Sequence, residues 1–243
     1  MMHHSEFHHG HSPEEIAERL KGGPDVSYLR DWVYGGMDGA ITTFAIVAGV
    51  VGASLSSSII VILGLAKLIA DAISMAAANY SGTKVERDDY LRLRRMEERQ
   101  VKLDPEGETE EIRQIFLSKG FAGKDLEKIV RIVTSIEEHW VEVMMAEEYG
   151  MPPVTRLPLK SATATFLGFL ACGSVPVLPF LVGAPHPAMV ALVLTGAVFF
   201  AIGAIKSKWS TQHWAASGLE TFLIGIVAAG IAYVLGDVLQ MLF

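Results

Sequence analysis

The stretch from Ile59 to Gln100, IIVILGLAKLIADAISMAAANYSGTKVERDDYLRLRRMEERQ, permits few folds. Its first twenty residues are apolar enough to cross a hydrocarbon core of about 30 Å, and the remainder is densely charged. No proline interrupts it, and its only interior glycines are Gly64 and Gly82. The pattern predicts one long helix that leaves a membrane and continues into water. Lys67, Asp71, Met75 and Asn79 recur at i, i+4 in the apolar half, which puts them on one face. An ionisable residue at that depth costs roughly 2.5 to 3.5 kcal/mol on insertion scales, so it faces a cavity, a partner or a pathway. This helix reads as a pathway wall joined to a charged receiver. A Lys67–Asp71 pair is the structural alternative, and it would remove both from the path.

With 51% hydrophobic residues gathered in long runs and a mean hydropathy of +0.36, the chain is expected to be an all-α integral membrane protein. Charge is unevenly placed: 17 of the 27 acidic and 14 of the 20 basic residues lie between Tyr80 and Lys160. That segment reads as a water-facing domain. An overall charge of −7 argues against nucleic acid as a partner, because phosphate binding needs a basic surface. One cysteine, Cys172, allows no intrachain disulfide and no thiolate metal cluster.

The organisation follows from these shifts: a polar tail over 1–30, two spans over 31–79, an inserted domain over 80–156 and three spans over 157–243. His3, His4, His8, His9 and His11 crowd the tail, as a solvated segment or a weak metal-collecting one. The tail has no apolar core of the kind a cleaved signal peptide needs, so the first span is expected to act as targeting signal. Ser12, Pro13 and Glu15 have capping-box spacing, predicting a short helix that ends at Gly22. Span one covers about Trp32 to Leu55. Its Gly35, Gly36, Gly39 and Ala40 form a smooth face for close helix approach, with Asp38 among them as a pathway residue or a snorkelling carboxylate.

Three helices are expected in the inserted domain. The first continues span two to about Val101 and ends at Asp104-Pro105; the second covers about Glu108 to Ser118; the third runs from Lys124 to Tyr149, before Gly150 and Pro152-Pro153. Spans three to five are expected at about 161–182, 187–205 and 218–239. Pro176 and Pro179 should kink or break the third. Glu220 is either a favourable charge at a helix N-terminus or a functional group. Apart from Lys67, every Lys and Arg falls before span one, between spans two and three, or between spans four and five. The positive-inside rule then places the N-terminus and the inserted domain in the cytoplasm and the C-terminus outside or in a lumen.

Clustered carboxylates with methionine suggest a divalent first-row metal, since carboxylates suit Mn²⁺ and Fe²⁺ while thioether sulfur discriminates against Mg²⁺ and Ca²⁺. The candidates are Glu97 and Glu98, Glu108 and Glu111, and Met144, Met145, Glu147 and Glu148. Glutamate runs on amphipathic helices are commonly solvated faces. Attachment to a membrane helix carrying Asp71 and Met75, with Asp38 on its neighbour, favours a metal route.

Four stretches, DWVYGGMDGAITTFAIVAGVVGA, ADAISMAAANY, EEHWVEVMMAEEYGM and SGLETFLIGIVAAGIAYVLG, resemble the vacuolar iron transporter family in order and spacing, from about Arg30 to the C-terminus. The resemblance implies a homodimer of five-span subunits with a three-helix cytoplasmic domain between spans two and three. It implies a secondary transporter, not an enzyme, that moves Fe²⁺, and often Mn²⁺ or other divalent ions such as Co²⁺, Ni²⁺ or Zn²⁺, out of the cytoplasm in exchange for protons. No cofactor is implied. Asp38 and Met75 then line the path with Asp71 near them, and Glu97, Gln100, Glu108, Glu111, Met144, Met145 and Glu148 fall at the metal-binding positions. Gln100 and Met145 stand where carboxylates are expected, with Glu98 and Glu147 adjacent as substitutes, and Asn79 stands where many relatives have Glu. Fewer carboxylates make a less negative pocket. Two other classes remain: a membrane-anchored metal sensor, and a membrane-tethered ferroxidase, for which the single domain histidine, His139, gives no Glu-x-x-His pair.

Overall fold

The computed structural model describes residues 12–21, 26–151 and 156–242. The N-terminal histidines and the helix-stop signals at Gly22 and Pro152-Pro153 lie outside them. All regular structure among the described residues is helical: α1 (Pro13–Lys21), α2 (Leu29–Gly52), α3 (Ser57–Leu103), α4 (Pro105–Ser118), α5 (Gly123–Thr134), α6 (Glu137–Glu147), α7 (Pro158–Gly173), α8 (Leu178–Leu181), α9 (Pro187–Lys206) and α10 (Trp214–Leu242). Four of these, α2, α3, α9 and α10, are long and apolar enough to cross a membrane. At α1 the expected capping box forms: the Glu15 N–H donates to Ser12 Oγ at 3.2 Å, and the Ser12 N–H to the Glu15 carboxylate at 3.1 Å.

The long helix is continuous. α3 runs for 47 residues without a break, and at about 1.5 Å per residue it is roughly 70 Å long. It stops where Asp104 leaves helical geometry and caps α4, accepting the Gly107 N–H at 3.0 Å, with Pro105 at the first helical position.

One expectation is corrected in detail. The helix expected from Lys124 to Tyr149 is two helices: it breaks at Ser135 and Ile136, where Ile136 takes an extended conformation as the N-cap of α6. No glycine or proline marks the spot, but the Ser135 hydroxyl turns back to the Ile132 carbonyl at 2.7 Å, and this local bond competes with the helical ladder. The group around the charged half of α3 therefore has four helices, not three. The third apolar stretch breaks, one of the two outcomes expected at Pro176 and Pro179: α7 ends at Gly173, a turn carries the chain past Pro176, and α8 is four residues long.

α2 is the hub of the apolar bundle, packed on α3, α7, α9 and α10. Ala40, Phe44, Val47 and Val50 of α2 share a core with Ile60, Cys172, Phe199 and Ile202. Leu and Ile side chains on the outer faces of α3 and α10 stay exposed, among them Ile69, Ile73, Leu223 and Ile231, as a lipid-facing surface requires. The smooth face meets α7. A Cβ on Gly39 would lie 2.5 Å from the Phe169 carbonyl oxygen and 3.0 Å from its Cα, and α7 presents backbone there, which cannot swing aside. Gly39→Ala is thus expected to push α2 and α7 apart and cost about 1 to 3 kcal/mol, read as a lowered unfolding temperature of the detergent-solubilised protein.

A second core holds α3 to α6 together: Tyr90, Leu93, Val101, Ile112, Leu126, Val130, Trp140, Val141, Met144 and Met145. Ion pairs at its rim join the helices, Lys102–Glu137 at 2.8 Å between α3 and α6 and Arg113–Glu127 at 3.0 Å between α4 and α5.

Candidate functional site

Two polar centres stand out against these cores, one toward the charged end of α3 and one around its middle. The first is a carboxylate pocket between α3, α4 and α6. Glu97 is 1% exposed and Glu108 4%, an unusual depth for glutamate. Tyr149, just past the end of α6, donates its hydroxyl to Glu97 Oε1 at 2.8 Å. Glu97 Oε2 and Glu108 Oε2 are buried and have no hydrogen-bond partner among the described residues. Buried anionic oxygens left unpaired are costly, and a proton or a cation removes the cost.

The titration behaviour agrees with this crowding. The Glu108 carboxyl is pushed up to about 7, first by burial and then by the carboxylates of Glu111, Glu97 and Glu148. Burial also raises Glu111, aided by Glu97 and Asp104. Glu148 moves up for the same first reason, partly offset by its hydrogen bond with Tyr149. Tyr149 itself is raised by burial and by the Glu97 carboxylate it bonds. Four glutamates, Glu97, Glu108, Glu111 and Glu148, thus share one field.

The remaining candidates are placed differently. Glu98, next to Glu97, turns to Arg94 at 3.1 Å, and Glu147, next to Glu148, pairs with Lys119 at 2.6 Å. Gln100 is exposed, while Met144 and Met145 are fully buried in the apolar core of α3 to α6. Among the described residues, no three His, Cys, Asp or Glu side chains stand close enough to form a closed metal site.

The second centre is a polar track between α2 and α3. Met75, Asn79, Thr83 and Glu86 follow one another along one face of α3 and, with Asp31 and Tyr34 of α2, wall a cavity of about 370 Å³. Deeper along α2 lies Asp38, two turns beyond Asp31, with Lys67 and Asp71 of α3 as its charged neighbours. Lys67 and Asp71 pair with each other one turn apart, so the structural alternative for these two is realised beside Asp38. Asn79 ties three helices together: its Nδ2 donates to Thr165 Oγ1 at 2.6 Å, Asp31 Oδ1 at 3.0 Å and the Ser161 carbonyl at 3.3 Å. Glu220 pairs with Lys206 at 3.6 Å and takes no part in either centre.

Sequence reasoning missed Tyr149, Asp31 and Arg156. Arg156 Nη2 donates to both carboxylate oxygens of Asp31 at 2.6 Å, bridging 125 positions of chain. The available signal was a charge at the very start of an apolar run, Asp31 before Trp32, facing an arginine at the start of another.

Known proteins share this arrangement of sequence. A family model for the VIT family matches residues 29–237. Vacuolar iron transporter 1 from Arabidopsis thaliana is 32% identical over 216 residues, covering 87% of this chain and 86% of the plant protein. The vacuolar iron transporter of Toxoplasma gondii is 33% identical over 228 residues, 88% of this chain and 75% of its own length. That of Plasmodium falciparum is 29% identical over 228 residues, 89% and 84%. The match spans both polar centres and the helices between them, and the chain belongs to the VIT family.

Proposed function

We propose that the protein moves Fe²⁺, and other divalent first-row ions such as Mn²⁺, out of the cytoplasm in exchange for protons. In this reading α7 with α8 forms a fifth, interrupted span, the helices from the charged half of α3 to α6 lie in the cytoplasm, and two subunits pair. The carboxylate pocket collects the ion and α3 connects it to the polar track, where Met75 offers a soft uncharged ligand and Asp38 a carboxylate. Asp38 binds either metal or a proton, and this competition couples the two fluxes.

One observation carries the reading. The same unbroken helix bears, at its charged end, the buried Glu97, whose Oε2 has no hydrogen-bond partner among the described residues, and the cavity-lining Met75 in its apolar half. A sensor needs the first of these and has no use for the second. Proteoliposomes holding the purified protein are expected to accumulate Mn²⁺ and Fe²⁺ when a pH gradient is imposed and to lose that uptake when an ionophore collapses it. Folded protein that binds Mn²⁺ and carries none under any gradient would refute transport and leave a metal sensor.

A further inference from the structure

The Asp31 carboxylate, which the transport route passes, is already occupied. Its side chain is 7% exposed, and Arg156, 28% exposed, covers it. A guanidinium that used its fork would set two nitrogens against two oxygens. Here Nη2 alone serves both Asp31 oxygens, with a weaker bond to the Ser161 hydroxyl at 3.3 Å, and Arg156 Nε is buried without a partner among the described residues. This pairing leaves part of the cation unsatisfied, so a competing cation can displace it. Asp31 does not depend on Arg156 for its position, because Asn79 Nδ2 holds Oδ1 from the other side. The backbone beside Arg156 is held too: the Leu157 N–H donates to the Tyr28 hydroxyl at 2.9 Å. Withdrawal therefore needs only a side-chain movement.

The charges of the cavity make that movement consequential. Arg30, Asp31, Glu86 and Arg156 all line it beside Met75, and their formal charges cancel. With Arg156 withdrawn, the wall is net negative and attracts a dication.

We propose that Arg156 is a tethered competitor for the transported dication, seated on Asp31 while the mouth is empty and displaced when a divalent metal ion takes that carboxylate. The proposal rests on the transport reading above and adds the group that sets apparent affinity at the entrance. Arg156 is a positioning residue: it sets the charge of the mouth without binding metal.

Mn²⁺ uptake into proteoliposomes tests it with wild type, Arg156→Gln and Arg156→Lys. Arg156→Gln is expected to lower KM for Mn²⁺ roughly fivefold or more, with a smaller change in Vmax, because one positive charge leaves the mouth. Arg156→Lys should return KM toward wild type. Unchanged or raised KM in a folded Arg156→Gln protein, with Vmax reduced, would mean that the pair only cross-links α2 to the start of α7, and the proposal fails. Should Arg156→Gln not fold, phenylglyoxal labelling of the wild type, read at Arg156 by mass spectrometry, decides: saturating Mn²⁺ should raise labelling several-fold, and no rise overturns the idea. Failure of the transport reading itself looks different, since the wild type then carries no Mn²⁺ while the labelling arm still reports what occupies Asp31.

Discussion

Asp38→Ala is expected to reduce gradient-driven Mn²⁺ and Fe²⁺ flux at least about fiftyfold, to the level of empty vesicles, while leaving metal binding at the carboxylate pocket unchanged. The argument is electrostatic. A dication stripped of water in a low-dielectric path loses far more than neutral ligands return, and a carboxylate at the same depth supplies the missing attraction. Asp38 is the acidic residue there whose charge is not already spent on an ion pair, since Asp71 holds Lys67. Met75→Ala should cut flux less, about tenfold, and should blunt the preference for Fe²⁺ over Mg²⁺, because thioether sulfur is the soft donor of the track. Asp38→Asn separates binding from coupling: if this variant still transports with an undiminished pH dependence, Asp38 is not where proton and metal compete.

Metal binding at the carboxylate pocket is expected to weaken about thirtyfold between pH 7.5 and pH 5.5, roughly tenfold for each pH unit below 7 for a single displaced proton. The proton concerned sits on Glu108, whose carboxyl is pushed up to about 7 by burial and by Glu111, Glu97 and Glu148. Mn²⁺ titrations of the full-length protein in detergent should show this slope, and Glu108→Gln should flatten it. The same group governs metal-free stability, with a definite sign. In the unfolded chain Glu108 returns toward its ordinary 4.5. Between about 4.5 and 7 the folded state holds the extra proton, so stability falls as pH rises through that window and levels off above it, by about 3 kcal/mol for this one group. With chelator present, the unfolding temperature should be lower at pH 8 than at pH 6, and saturating Mn²⁺ at pH 8 should reverse the difference, because a dication satisfies the oxygens that ionisation exposes.

The elements written by local chemistry were legible in the sequence. The continuity of α3 follows from an apolar-to-charged run without proline, the Asp104-Pro105 stop from capping rules, and the break after α7 from Pro176 and Pro179. The division between α5 and α6 carried no such mark, because a serine hydroxyl bonding back one turn competes with the helix only weakly. Within the carboxylate pocket, the pattern named glutamates but could not rank neighbours. Glu97 turns inward and Glu98 outward because adjacent positions on a helix face about 100° apart, and the direction of the core is fixed by Trp140 and Ile112 on other helices. The contact between Asp31 and Arg156 is long-range, and single-residue patterns do not reveal pairs.

The unbroken α3 also behaves as a lever. Met75 and Glu97 are 22 positions apart on one rigid rod, about 33 Å along its axis. A tilt of about 10° around the depth of Met75 carries Glu97 through roughly 6 Å, while the helix at the fulcrum shifts hardly at all. Because the second core fastens α4 to α6 onto this rod, whatever rocks it inside the bilayer carries Glu97 and Glu108 along together. The position of the carboxylate cluster in water and the angle of a helix in lipid become a single mechanical variable.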